Sequence, residues 1–237
     1  MIRFNDKYRS MQAELMDDLQ FKGAEMEQLL SDLKRVNKWL GGNSVTLEGI
    51  KKLLSGRSWD TPLRILDVGC GDGAMLRYCA DWFQQNNIPC QLIGIDANPY
   101  IVEIACKRSR AYSNIEYFHI NVFSEEIEQL HCDIALFTLF LHHFSDEEII
   151  RILKNSLNKA KVGIVVNDLE RSRIAYYLFG LFSYFFIRTR TARQDGLLSI
   201  CRAFKKRELQ QLSNNLIGRH SLKQAWAFRL QWLIETT

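Results

Sequence analysis

Arg64-Ile65-Leu66-Asp67-Val68-Gly69-Cys70-Gly71-Asp72-Gly73-Ala74 is the stretch from which the rest of the chain is read. It opens with a short apolar run rich in β-branched residues, the pattern of a parallel strand buried on both faces. Three glycines on alternate positions follow, then Met75 to Phe83 with helical spacing. Strand, glycine loop and helix in this order bring backbone N–H groups and a helix N-terminus up to a ligand. Gly69 and Gly71 lack a Cβ, so the main chain can turn sharply and approach a flat or bulky ligand.

Spelled as Gly-x-Gly-x-x-Ala, the loop also satisfies the dinucleotide fingerprint, which would suit a nicotinamide-dependent oxidoreductase. Asp67 weighs against that reading. A carboxylate at the carboxyl end of the strand suits a cationic amino group and suits a pyrophosphate poorly. Leu66-Asp67-Val68-Gly69-Cys70-Gly71-Asp72-Gly73 resembles the first motif of the class I S-adenosyl-L-methionine (SAM)-dependent methyltransferases. The resemblance implies a Rossmann-like α/β fold, SAM as cofactor and S-adenosyl-L-homocysteine (SAH) as product. Read without any ligand, the same residues are a plain glycine turn. A SAM-binding partner protein without catalysis is a further reading, which the intact loop motifs oppose.

The 237 residues are enough for a sizeable core, and 47% hydrophobic with 24% charged residues is the composition of an ordinary globular protein. A formal charge of +4 is too mild to argue for nucleic acid. The six cysteines, Cys70, Cys79, Cys90, Cys106, Cys132 and Cys201, show no Cys-x-x-Cys pair and no metal-ligand spacing, so no metal is expected. Several fall in apolar runs, where a thiol behaves as a small hydrophobe. With no signal-peptide core at the N-terminus, a reduced, cytoplasmic protein is the simplest reading.

Residues 1–56 show no convincing strand. Met11, Leu15 and Leu19, then Met26 through Leu40, recur at helical spacing, and Gly41-Gly42 ends the second helix. Thr46 through Leu54 reads as a third, short helix. This preface is expected to be a helical cap or lid over the ligand, or an arm packed on the domain. From residue 57 strands and helices alternate. Strands are expected at Gln91–Asp96, Ile115–Ile120, Cys132–Phe137 and Val162–Asp168. A helix opens on the capping-box pair Ser145 and Glu148. Two strand-like pieces around Leu216–Leu222 and Trp226–Ile234 complete a seven-stranded, mostly parallel sheet with helices on both faces and ligands at the strands' carboxyl ends.

Asp96 ends the second strand, 29 positions after Asp67, where a carboxylate can accept both hydroxyls of a ribose. Asn121-Val122-Phe123 follows the third strand, where methyltransferases of this class grip adenine. They often place an Asp there, and the amide oxygen of Asn121 can accept the same bond. The expected cofactor shell is Asp67, Gly69, Cys70, Gly71, Asp72, Asp96, Ala97, Asn121, Val122, Phe123 and Phe137. Asn98-Pro99-Tyr100 resembles an amine-methyltransferase signature, but it follows the second strand where that signature follows the fourth. Methylation of a flipped base is therefore disfavoured.

His142 and His143 follow the fourth strand, which in these enzymes reaches the cofactor's methyl group. A phenol of pKa about 10 is only about one part in a thousand ionised at neutral pH. Oxygen methylation therefore gains from a histidine base. The two histidines are the candidate catalytic residues, against a purely structural reading of the pair.

Glu14-Leu15-Met16-Asp17-Asp18, Asn37-Lys38-Trp39-Leu40-Gly41-Gly42, Phe140-Leu141-His142-His143-Phe144, Asn167-Asp168-Leu169-Glu170-Arg171-Ser172 and Asp195 through Phe204 appear in this order. Together they resemble the methyltransferases found beside bacterial type III polyketide synthases, in phenolic-lipid and quinone pathways. Those proteins usually carry His at the position of Glu170. The resemblance implies O-methylation of a phenolic, polyketide-type and apolar small molecule, or C-methylation of a quinol ring. Asp168, Arg171, Phe182 and Phe186 would contact the acceptor.

Residues 174–187 are apolar all round and too few to span a bilayer comfortably. They read as a buried helix, an interfacial helix, or the wall of an apolar substrate tunnel inserted at about 171–200. Nine Lys/Arg and one acid between 171 and 207 would suit an anionic membrane surface, or simply a solvated face.

Overall fold

The computed structural model describes residues 3–59 and 61–236. Among the described residues seven strands form one sheet: β1 (Leu63–Val68), β2 (Cys90–Asp96), β3 (Ile115–His119), β4 (Cys132–Thr138), β5 (Ala160–Leu169), β6 (Arg219–Ala225) and β7 (Arg229–Glu235). Eight α-helices of the described residues surround it: α1 (Ala24–Trp39), α2 (Gly42–Leu54), α3 (Ala74–Gln85), α4 (Pro99–Arg108), α5 (Asp146–Leu157), α6 (Arg173–Phe186), α7 (Arg190–Arg202) and α8 (Lys206–Ser213). The strand order is β3-β2-β1-β4-β5-β7-β6, with β7 antiparallel to both neighbours and the other pairings parallel. The chain reverses its direction of travel across the sheet between β1 and β4. In an open α/β sheet this reversal creates the ligand crevice at the strands' carboxyl ends.

Alternation along the strands divides the core in two. Leu66, Val68, Ala135, Phe137 and Val166 face the side covered by α5 and α8. Ile65, Ile134, Leu136 and Val165 face the side covered by α2 and α3. The expected capping box at α5 is present in full: Ser145 Oγ accepts from the Glu148 amide, and Glu148 Oε2 accepts from the Ser145 amide. All six cysteines are free, and burial pushes the Cys132 thiol up to about 12.

The N-terminal part departs from its sequence reading. Around Met11–Leu19 the chain forms only a 3₁₀ turn at Leu15–Asp17. The carboxylates of that segment bond to the body of the protein and fix an irregular path. The third helix begins at Gly42, four residues earlier than expected. Gly41, at φ +65°, makes the turn, and Gly42 leaves room for the guanidinium of Arg229, which a Cβ would meet at 2.6 Å. Nor is α2 a detachable cap. Ile50 and Leu53 share one core with Leu63, Ile65 and Leu76, and a Cβ on Gly49 would lie 2.6 Å from Val165. The core continues across residue 56. α1 packs separately, with Met26, Leu29 and Leu30 against Ile101 and Ile104 of α4 and Ala192 of α7. The helices α7 and α8 had no counterpart in the sequence reading.

Because α2 packs into the core on one face of the sheet, Ile50→Ala is expected to cost about 2–5 kcal/mol of unfolding free energy, as core truncations do. A urea titration checks this; a loss under about 1 kcal/mol would restore the cap.

Candidate active site

β1 runs straight into the glycine loop. The amides of Gly69 and Cys70 both donate to the Ile95 carbonyl, which ties the loop to β2. Gly69, Gly71 and Gly73 all have positive φ, a region other residues rarely occupy. Their missing side chains serve different ends. A Cβ on Gly69 would sit 2.1 Å from the ring of Phe140, and one on Gly73 would sit 2.0 Å from the Tyr117 hydroxyl, whereas one on Gly71 meets nothing within 4 Å. The loop is therefore closed by protein at its two ends and open at Gly71.

Two carboxylates flank that opening. Asp67 is buried and its Oδ1 has no hydrogen-bond partner among the described residues. Burial, reinforced by Asp96, raises its pKa to about 8. Asp96 accepts from the Gly71 amide through Oδ2 (3.1 Å) and from the Asn98 amide through Oδ1 (3.0 Å). Burial holds its pKa above the ordinary range as well. Ala97 lies on the same loop, its carbonyl 3.0 Å from His119 Nε2. Asn121 is exposed and its Oδ1 accepts from the Phe123 amide, so the amide shapes its own turn. Val122 and Phe137 are buried in the sheet core, and Cys70 is buried beneath the loop.

Asp72 is committed elsewhere. It accepts from the Ala74 amide and forms ion pairs with Arg77 and Arg108, which anchors α3 to α4.

On the other side of the crevice β4 ends in Thr138, and Leu139 adopts φ +55°, a conformation costly for a residue with a branched side chain. That turn lays Phe140 on Gly69 and starts the short helical turn Leu141–His143. Phe140 stacks against Phe144 (4.9 Å between ring centroids), and Phe144 meets Phe123 edge-on at 5.6 Å. An aromatic wall thus lies beside the glycine loop. Phe140, absent from the expected site residues, is part of it.

The two histidines separate in role. His142 is buried; Asp168 holds it by accepting at Oδ1 from ring Nδ1 (2.7 Å) and at Oδ2 from the backbone amide (3.2 Å). Its Nε2 faces Glu14 Oε1 at 3.5 Å. Burial opposes the charge, but the two carboxylates outweigh it and raise the imidazole pKa to about 9. With its pKa raised and an acid facing each nitrogen, His142 is placed as the charge partner of Asp168 and Glu14 rather than as the expected base. Asp168, expected to contact the acceptor, is fully buried and positions His142 instead; burial raises its pKa, but the imidazolium outweighs that and depresses it.

His143 is half-buried, and its Nδ1 lies 2.5 Å from Asp17 Oδ1. A carboxylate at Nδ1 fixes an imidazole's tautomer and leaves Nε2 to take a proton.

Arginines hold this turn in place. Arg202 donates to the carbonyls of His142 (3.2 Å) and His143 (2.7 Å) and to Asp17 Oδ2 (2.6 Å). Arg9 donates to the carbonyls of His142 (3.2 Å) and Phe144 (2.8 Å). Glu14, Asp17, Arg9 and Arg202 come from segments distant in sequence, and only the folded chain brings them to the histidines. Glu14, His142 and His143 offer donor atoms within 4.8 Å of one another. The Arg202 guanidinium 3.8 Å from Glu14 Oε1 already supplies positive charge there.

Arg171 does not reach a site. It is fully buried, pairs with Glu208 through both terminal nitrogens and donates to the Ala203 carbonyl (2.5 Å). Glu170, beside it, accepts from Gln224. Phe182 and Phe186 meet Trp39 of α1 edge-on at 6.0 and 5.0 Å. They do not enclose a tunnel, because α7 occupies the inner side of α6 and the outer side is bare.

Residues 65–163 match a family model described as a methyltransferase domain. Among solved structures, the chain is similar to the plantazolicin methyltransferase BamL in complex with a triazolic desmethylPZN analogue and SAH. The identity is 16% and the TM-score 0.64, over 90% of this chain and 95% of that one. It is also similar to magnesium protoporphyrin IX methyltransferase (ChlM) from Synechocystis with bound SAM, at 16% identity and TM-score 0.52, over 94% and 89%. An O-methyltransferase family protein from Burkholderia thailandensis gives 10% identity and TM-score 0.66, over 97% and 65%. A search of curated proteins finds no match. Fold and matched domain together define a SAM-dependent methyltransferase with the Rossmann-like architecture of class I. The orphaned oxygen of Asp67 and the open face of Gly71 fit that cofactor's ammonium group and its need for close backbone approach.

A histidine whose folded pKa lies near 9, above its ordinary 6.5, stabilises the fold fully below about 6.5, and the contribution is lost as pH rises through 9. The urea midpoint is expected to fall across that window. Asp168→Asn should flatten the fall and bring the His142 titration, followed by NMR, down in pH.

Proposed function

We propose that this methyltransferase acts on a hydroxyl of an aromatic, polyketide-type small molecule carrying apolar substituents. The observation that carries the proposal is the His143–Asp17 pair, placed on the turn after β4 and next to the Phe140–Phe144–Phe123 wall. An aromatic acceptor stacked on such a wall gains about 0.5–1.5 kcal/mol per ring pair beyond its burial. The similar structures include methyltransferases of plantazolicin and of magnesium protoporphyrin IX, which favours a small-molecule acceptor over nucleic acid.

Bound SAM supplies an electrophilic methyl group on a sulfonium. Asp67 would receive its ammonium, Asp96 its ribose hydroxyls, and the Asn121–Phe123 loop its adenine. His143 Nε2 would take the acceptor's hydroxyl proton, with Asp17 holding the ring. Asp168 and Glu14 flank His142 and would hold in place the turn that carries His143. Orientation of this kind contributes more than proton transfer does, roughly 7 kcal/mol or above for well-aligned groups.

Isotope-labelled SAM with alkylated dihydroxybenzenes, read by mass spectrometry, is expected to place the methyl group on oxygen. A methyl on ring carbon would move the enzyme to quinol C-methylation, and turnover only of amines or carboxylates would remove the phenolic reading. His143→Gln should lower turnover about a hundredfold or more while leaving SAH affinity unchanged; full activity of that variant would take His143 out of the chemistry.

Cofactor binding should be proton-linked. An ammonium at Asp67 favours the carboxylate, which is protonated below pH about 8 in the free enzyme. SAH affinity is therefore expected to rise with pH toward 8, with proton release seen by calorimetry in buffers of different ionisation heat. Asp67→Asn should abolish the linkage and weaken binding by roughly 1.5–3 kcal/mol. If affinity and linkage survive, Asp67 lies outside the cofactor site.

A further inference from the structure

The helix α6 turns its apolar side chains outward. Ile174, Tyr177, Leu178, Leu181, Tyr184 and Phe185 are each between 52% and 69% exposed. They recur at i, i+3, i+4, i+7, i+10 and i+11 and form one stripe. The opposite side is fully used. Phe179 presses on Gly196 of α7, where a Cβ would lie 2.4 Å from the ring, and Phe182 meets Trp39. A helix whose inner face is already packed does not need a second apolar face for folding. Contiguous exposed apolar surface of this kind marks an interaction site.

Charge decides the partner. Arg173 stands just before the stripe, and Arg188 and Arg190 just after it; all three are exposed and form no ion pair among the described residues. The carboxylates that bond the link before α7 and its first turn are Asp32 and Glu25 of α1, Glu14 and Asp17 bond its far end at Ser199 and Arg202, and Asp195 lies on α7 itself. Asp32 is buried against the Arg188 and Thr189 amides, Asp195 is buried against the Leu15 amide, and Glu25 accepts from Thr191. The stripe is thus an apolar ridge with cations at both ends. A second copy paired isologously and antiparallel would bring Arg173 of one chain against Arg188 and Arg190 of the other, a like-charge contact. An anionic lipid surface meets both properties: it takes the apolar stripe among its acyl chains and the guanidiniums among its headgroups. Tyr177 and Tyr184 have the half-apolar, half-polar rings that suit that boundary. At roughly 21 Å for its 14 residues the helix would lie flat. Among the described residues no helix is long and apolar enough to cross a membrane.

We propose that the outer face of α6 docks this protein on anionic membrane surfaces. The proposal stands on surface geometry and is independent of the acceptor's identity.

Co-sedimentation with phosphatidylcholine vesicles, with and without phosphatidylglycerol, tests it. The full chain is expected to bind the anionic vesicles about tenfold or more tightly than the neutral ones, with binding weakened by salt. The pair Leu178→Glu and Leu181→Glu should abolish binding, and Arg188→Gln with Arg190→Gln should remove the preference for phosphatidylglycerol. Both variants change surface positions, so helical content and SAH affinity should match the parent chain. Equal sedimentation of parent and Glu variant, or none by either, overturns the proposal. A dimer in sedimentation velocity that the Glu pair dissociates, with no vesicle binding, assigns the face to a second copy and overturns it too.

Discussion

His142 lies buried between Asp168 and Glu14, and much of the architecture around the candidate active site holds these three groups together. A buried charge without partners is prohibitively costly, and removing one member of a buried pair typically destabilises by several kcal/mol. The pairing therefore dictates where distant segments must lie. Glu14 has to come from the N-terminal segment, so that segment cannot wander as an independent arm. Ser199 of α7 donates to the other oxygen of Glu14, and Leu15 donates to Asp195 of the same helix. One buried proton thus links β5, the turn after β4, the N-terminus and α7.

The sheet supplies the second constraint. Parallel strands that reverse order between β1 and β4 leave a crevice where the two carboxyl ends diverge. In this chain the crevice is narrowed by its own residues. Phe140 fills the space above Gly69 and Tyr117 fills that above Gly73, which leaves Gly71 as the point of open approach. Burial raises the pKa of both Asp67 and Asp96 there, and the charge of Asp96 adds to the effect on Asp67. Two acids held above their ordinary pKa range suit a cationic ligand that relieves both.

The glycine loop, the order of strands and helices, the acids at two strand ends and the Ser145 capping box were legible before the structure, because each is a local pattern of a few residues. The site was legible only in part. His142 and His143 stand side by side in sequence, and nothing local distinguishes the one clamped between two acids from the one with a single acid. Arg171 was expected to contact the acceptor, yet Glu208, 37 positions later, pairs with it in the interior. Its partner is fixed by the packing of α8 and invisible to spacing.

The sequence by itself determined that residues 64–168 would build a parallel sheet around a ligand loop, since hydrophobic periodicity and glycine conformation act over neighbouring residues. It also determined that residues 174–187 would be apolar. Tertiary structure alone decided which face of that helix is covered, because coverage depends on α7 arriving on one side and on Gly196 admitting Phe179. It alone turned residues 42–54 from an expected cap into a core layer, by closing Gly49 against Val165 and Ile50 against β1. Periodicity states that a residue needs burial; what buries it is settled by elements a hundred positions away.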